Sequence, residues 1–158
     1  IALITNIFKN LKEKYSSTEK RFLGIDYGDV NIGTAISDVS RSIASPYKML
    51  KNKSYTILFD EFADIIKEMD IGAIIIGLPL QMNGQEGETA QKVHKFKEAL
   101  EKQFPNIDIV LSDERLTSSI SEKMLIREFD LSRQKRKQIL DKVSASYILQ
   151  NVLDSMNF

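Results

Sequence analysis

Apolar positions recur along this chain in three ways: at helical spacing, in short blocks, and in one unbroken run. Between residues 1 and 15, Ile4, Ile7, Phe8, Leu11 and Tyr15 fall at helical spacing with lysines between them. That predicts a short amphipathic helix, docked on the core or on a partner. "SSTEK" reads as a linker. Two apolar blocks, Phe22–Ile25 and Ile32–Ile36, flank the turn residues "DYGDVN" and predict a hairpin. A third strand is expected near "SIASPYKML", kept short or at an edge by Pro46, which has no N–H to give to a ladder. Over 54–69 the spacing of Ile57, Leu58, Phe62, Ile65 and Ile66 is helical again. "IGAIIIGLPL" (71–80) is apolar throughout, the pattern of a strand covered on both faces.

After the loop "QMNGQEG" the pattern predicts a helix over 88–103 and a strand in "IDIVLSDER" (107–115). A helix from about Thr117 follows, with Ser119 and Glu122 spaced for a capping box. "DLSRQKRKQ" reads as a polar, basic connection to a last helix. Antiparallel strands first and crossovers later predict an α/β fold, a mixed sheet with helices on its faces.

Composition narrows the picture only a little. The 158 residues suit one domain with one sizeable core, and 42% hydrophobic with 28% charged residues is ordinary for a globular chain. Twenty-two basic residues balance twenty-two acidic ones, so a nucleic-acid binder would need local basic patches. With no cysteine there are no disulfides or thiolate metal sites, which suits a reducing cytoplasm. No apolar run approaches the roughly 18 residues of a membrane span, so the expectation is a cytoplasmic protein without a membrane partner.

The acids change the picture more. Burying an ionised carboxylate without a partner costs several kcal/mol or forces it to neutralise, yet Asp26 ends the first strand and Asp113-Glu114 ends the last. Sites in open α/β sheets gather beyond such carboxyl ends. Asp141 is a third candidate: in a last helix spanning 135–155 it shares a stripe with Ala145, Ile148 and Val152 beside the small residues Ser144, Ala145 and Ser146. Carboxylates brought together repel unless a cation sits among them. Oxygen ligands, with only His94 besides, suit Mg²⁺ or Mn²⁺ rather than zinc. Each acid alone also has an ordinary structural role: an ion pair, an exposed strand end, or, for Asp26, a cap on its own turn.

Together, "LGIDYG", "IGTAISD", "GLPLQMNGQEG", "DERLTS" and "DKVSASYILQNVLD", in that order from about Phe22 to Leu153, resemble the YqgF/RuvX family. Its members are described both as Holliday-junction resolvases and as pre-16S rRNA nucleases, with a ribonuclease H-like fold. The resemblance implies a five-stranded mixed sheet over 21–158, with residues 1–20 as a helical extension and linker. It implies metal-binding and catalytic acids at Asp26, Glu114 and Asp141, with the neighbouring Asp113 as an alternative or additional metal ligand to Glu114, and Mg²⁺ or Mn²⁺ as cofactor. Asn31 stands where the family often has Arg, which removes one phosphate contact, and Ser144 replaces a common Ala.

Within that frame Gly28 would let metal and substrate approach the hairpin backbone. Loop 78–88, with Asn83, Gly84 and Gly87, would cradle substrate, and Arg115 would contact the scissile phosphate. Arg133, Lys135, Arg136 and Lys137 would supply a local positive patch, and Asn31 would line the same nucleic-acid surface. His94, among lysines, reads as solvated rather than catalytic. The implied function is hydrolysis of phosphodiester bonds, in single-stranded ribosomal RNA precursor (maturation of the 5′ end of 16S rRNA) or else in four-way DNA junctions, by a monomer or weak homodimer. A non-catalytic RNA-binding assembly factor is the other class; an actin-like ATPase or sugar kinase would need a second domain for which 158 residues leave no room.

Overall fold

The computed structural model describes residues 2–114 and 132–156. In chain order the elements are α1 (Ala2–Tyr15), β1 (Arg21–Tyr27), β2 (Asn31–Ser37), β3 (Ala44–Lys51), α2 (Tyr55–Glu68), β4 (Ile71–Leu78), α3 (Glu88–Gln103), β5 (Asp108–Asp113) and α4 (Arg133–Met156). The strands form one sheet in the order β3-β2-β1-β4-β5. β1–β2 and β2–β3 pair antiparallel, while β4 runs parallel to both β1 and β5. The sheet is therefore mixed, as the order of hairpins and crossovers predicts.

Strand alternation divides the apolar residues between two layers. Leu23, Ile25, Ile32, Ile36, Ile74, Ile76 and Ile109 face α2 and α3, where Leu58, Phe59, Phe62, Ile65, Val93, Phe96 and Leu100 complete one core. Phe22, Ala35, Ala73 and Ile75 face the other way, against Ala145, Ile148, Leu149, Val152 and Leu153 of α4 and Leu11 and Tyr15 of α1. Every residue of β4 from Ile71 to Gly77 is buried, which accounts for its unbroken apolar run.

The first helix docks on its own chain. The Tyr15 hydroxyl lies 2.7 Å from the Gly72 carbonyl and 2.6 Å from Asp108 Oδ2, and Lys14 pairs with Asp108 at 2.7 Å. Buried Arg41 donates to the carbonyls of Tyr15, Thr18 and Lys20, tying the linker to the β2–β3 turn. Its φ of 56° is a left-handed conformation that these bonds hold in place.

One expectation holds and one needs correction. β3 is an edge strand, one of the two outcomes that Pro46 predicts. The strand runs eight residues, with a register shift between Gly33 and Ala35 of β2 as Pro46 is passed. The basic stretch from Arg133 is not a connection but the start of α4, where the Lys135 N–H donates to Ser132 Oγ at 3.3 Å. Lys, Arg and Gln are good helix formers, and Ser132 caps them. The helix expected from Thr117, with its capping box, lies outside the described residues.

Candidate active site

β1, β4 and β5 run parallel, so their carboxyl ends lie together at one edge of the sheet. On β1 the residues facing α4 are Phe22, Gly24 and then Asp26, by alternation. On β4 they are Ala73, Ile75 and Gly77. The register Ile25–Ile76 brings Asp26, one step on, alongside Gly77. On β5 the α4 side carries Val110, and the same parity leads through Ser112 to Glu114. The Glu114 N–H extends the ladder by donating to Leu78 O at 3.3 Å.

Gly77 lies between the two acids and has no side chain to separate them. A Cβ there would strike the Glu114 carboxylate and come within 2.6 Å of Ile148 Cδ1. Glu114 thus folds over Gly77, beneath α4 and toward Asp26. Burial first, and then the charges of Asp26 and Asp113, together raise the Glu114 carboxyl from 4.5 to about 7. Asp113 has the opposite parity and is exposed. A glycine is needed again under α4 at Gly24, where a Cβ would lie 2.8 Å from both Ala145 O and Leu149 Cβ. Gly24 and the small residues of α4 let the helix lie close on β1.

Asp141 lies on α4, in the stripe that continues through Ala145, Ile148 and Val152, all three buried against the sheet. The side chains of Asp141, Arg133, Arg136 and Lys137, and the whole of Arg115, lie outside the described residues. Lys135 is exposed. Among the described residues no three His, Asp or Glu side chains gather closely enough to hold a metal ion; those residues bring together Asp26 and Glu114, with Asp113 near. The donor set is carboxylate oxygen in a partly desolvated setting, which fits Mg²⁺ or Mn²⁺ and not a thiophilic ion.

The loops around this edge are tied down. Gly28 owes its identity first to the turn, because a Cβ would collide with the Asn31 carbonyl. Asn52 donates to Gly28 O at 2.8 Å, Lys51 donates to Asn31 Oδ1 at 3.0 Å, and Lys92 of α3 pairs with Asp29 at 2.9 Å. Asn31 is exposed at the rim. In the 79–87 loop the exposed Asn83 accepts from Gln85 N at 2.9 Å, and Gly84 takes a φ of 85°. Glu86 of that loop meets His94 at 2.9 Å and Gln91 at 3.1 Å. His94 is therefore a tie for the loop, not merely solvated. The sequence reading did not single out Gly24, Gly77, Lys92 or Arg41. Gly77 had a visible signal, an isolated glycine in a run of isoleucines, which marks a close approach.

A family model described as "RuvX: Holliday junction resolvase" matches residues 20–155, leaving α1 outside the match. The chain is 47% identical over 135 residues to a protein of Thermoanaerobacter pseudethanolicus, covering 85% of this chain and 96% of that one. It is 39% identical over 141 residues to one of Staphylococcus aureus, covering 88% and 99%. Both relatives carry the name "Putative pre-16S rRNA nuclease". Among solved structures, Thermus thermophilus RuvC in complex with a Holliday junction substrate superposes with a TM-score of 0.53 at 14% identity, over 87% of this chain and 96% of that one. That likeness is one of fold, and the fold is the α/β, ribonuclease H-like one.

Proposed function

The chain belongs to the RuvX family, and from that premise we propose that it is a metal-dependent endonuclease acting on single-stranded ribosomal RNA precursor. The observation that carries the reading is the pair Asp26 and Glu114, brought together on one face at the strands' carboxyl ends with the Glu114 carboxyl held near neutrality. Two acids that disfavour each other's charge, in a partly desolvated pocket, are arranged for a cation.

Asp26 and Glu114 would hold Mg²⁺ or Mn²⁺, with Asp141 of α4 as the third carboxylate. Parity favours Glu114 over Asp113, whose side chain belongs to the other side of the strand. The ion, when bound, would activate water and neutralise charge on the phosphate. The protein's own share is positional. β1 and β5 set the two carboxylates, Gly77 leaves the gap between them, and α4 excludes water from one side. Glu114 must lose its proton to serve as a ligand, so metal affinity should strengthen as pH rises toward about 7. The basic start of α4, with Arg115, would hold phosphates flanking the cut.

RNA is favoured because relatives at 39–48% identity are named for pre-16S rRNA and because a neutral chain is poorly suited to gripping four duplex arms. The second reading, a junction resolvase, takes its support from the family description. It requires paired cuts and hence two sites in a symmetric dimer. The test sets a labelled single-stranded precursor RNA beside a four-way DNA junction at equal salt, with Mg²⁺ or Mn²⁺, using wild-type protein and Asp26→Asn. Cleavage of the RNA by the wild type alone is expected. Paired symmetric cuts in the junction with intact RNA would overturn the substrate, and equal activity of Asp26→Asn would overturn the site.

A further inference from the structure

We propose that Tyr55 is a stacking platform for an unpaired nucleobase of the bound strand, with Lys53 and Lys92 holding the phosphates beside it. The proposal rests on the nuclease reading above and extends it to the flank of the site opposite α4. β3 runs parallel to β1, so its last residue, Lys51, lies at the same edge of the sheet as Asp26. α2 opens four residues later with Tyr55. The N-terminus of α3 reaches that edge from the end of β4.

Tyr27 follows Asp26 directly and has the opposite parity, so its ring goes to the α2–α3 side, 4.8 Å from Phe96. Tyr55 belongs to the same cluster, 6.3 Å from Phe96 and stacked on Phe59 at 5.0 Å with an interplanar angle of 9°. Yet Tyr55 is 41% exposed. A tyrosine serving only the core would be covered, and one serving only solubility would not be held flat on another ring. A flat, supported and open ring is what a base needs to stack on.

The charges around it suit a sugar–phosphate backbone. Lys92 pairs with Asp29 at 2.9 Å and feels the nearby Glu88 and Tyr27. Lys53 pairs with Glu61 at 3.2 Å. Both pairs are solvent-exposed and therefore weak, so a phosphate competes with the carboxylates for these ammonium groups. The occupant is a single strand, because in a duplex neither face of an internal base is available. The strand would run from the basic start of α4, across the carboxylates, to Tyr55.

The chain has no tryptophan, so Tyr55→Trp places a single indole at the platform. Titration of the full chain with a short single-stranded RNA, in chelator so that nothing is cut, should quench that indole. Tyr55→Ala should weaken binding by roughly tenfold, Tyr55→Phe should restore it, and Lys92→Gln should flatten the salt dependence by about 0.7 in slope. Unmoved indole emission at saturation, or wild-type affinity in Tyr55→Ala, overturns the platform. So does an equal loss for blunt duplex RNA. If the platform fails while wild-type protein cleaves RNA and Asp26→Asn does not, the nuclease reading stands. If wild-type protein neither binds nor cleaves RNA, both fall.

Discussion

The two faces of the sheet are built from different residues. Against α2 and α3 stand the bulky ones: Ile25, Ile74 and Ile76 of the strands meet Phe59, Phe62 and Phe96 of the helices. Against α4 the central strands set Gly24, Ala35, Ala73 and Gly77 among Phe22 and Ile75, and the helix answers with Ala145 among Ile148, Leu149 and Val152. The first face fills the space between layers with side chains. The second gives up side chains so that a helix comes close and a glutamate fits under it. On the proposed function, the first face would carry most of the stability and the second the chemistry, and a strand serves both because its residues alternate.

The sharpest way to test that division is to remove charge without removing shape. Asp26→Asn should lower metal-dependent cleavage by on the order of 10³-fold while the thermal midpoint stays within a few degrees of wild type. Glu114→Gln and Asp141→Asn should each cost nearly as much, and pairs of them little more, because ligands of one site are not additive. Independent, multiplicative losses would break the shared site.

One truncation and one addition then set the faces against each other. Phe62→Ala should cost about 3–5 kcal/mol in urea unfolding and leave turnover per folded molecule nearly unchanged. Gly77→Ala should cost less stability, about 1–3 kcal/mol, but most of the activity, because the new methyl displaces Glu114. If Phe62→Ala harms turnover more than Gly77→Ala does, the division of labour is wrong.

A smaller effect belongs to the rim of the second face. Replacing Arg133, Lys135, Arg136 and Lys137 by Gln should weaken RNA binding and reduce the salt slope by up to about 3, with the rate at saturating substrate largely retained. An unchanged slope would move the phosphate contacts elsewhere, first to loop 78–88.

The smallest effect is a pH dependence of stability. The folded Glu114 carboxyl titrates near 7 instead of 4.5, so between those values the folded chain holds a proton that the unfolded chain has lost. Stability from this group is present at low pH and falls as pH rises through that window. Without metal, Glu114→Gln should melt a few degrees above wild type at about pH 8, and the gap should close at about pH 4. A gap that widens toward acid would contradict the buried, acid-crowded setting of Glu114.

Much of this was legible before any coordinates. Helical spacing marked α2 and α3 to within a residue or two, and the apolar run marked β4 as central. The acids at the strand ends were equally plain. Choosing between Asp113 and Glu114 was not possible, since that choice is one of parity and parity needs the β4–β5 register. The start of α4 was misread because a run of Lys, Arg and Gln looks like surface in any conformation. Lys92–Asp29 and Glu86–His94 join residues whose proximity only the folded loops create.

Chain order gives the α4 face a timetable. Ribosomes release a chain at about 5–20 residues per second, and α4 follows every strand of the sheet. The β1–β2–β3 meander and the α2–α3 layer therefore have their partners, and Phe22 has Tyr15 of α1, while Ala35, Ala73 and Ile75 still wait for α4. For that interval the nascent protein shows an apolar sheet face covered only by α1 and, on the reading above, an incomplete set of carboxylates. On that reading, an enzyme assembled in this order would stay inert beside the ribosome that makes it, its cutting edge closing only once the last helix is made.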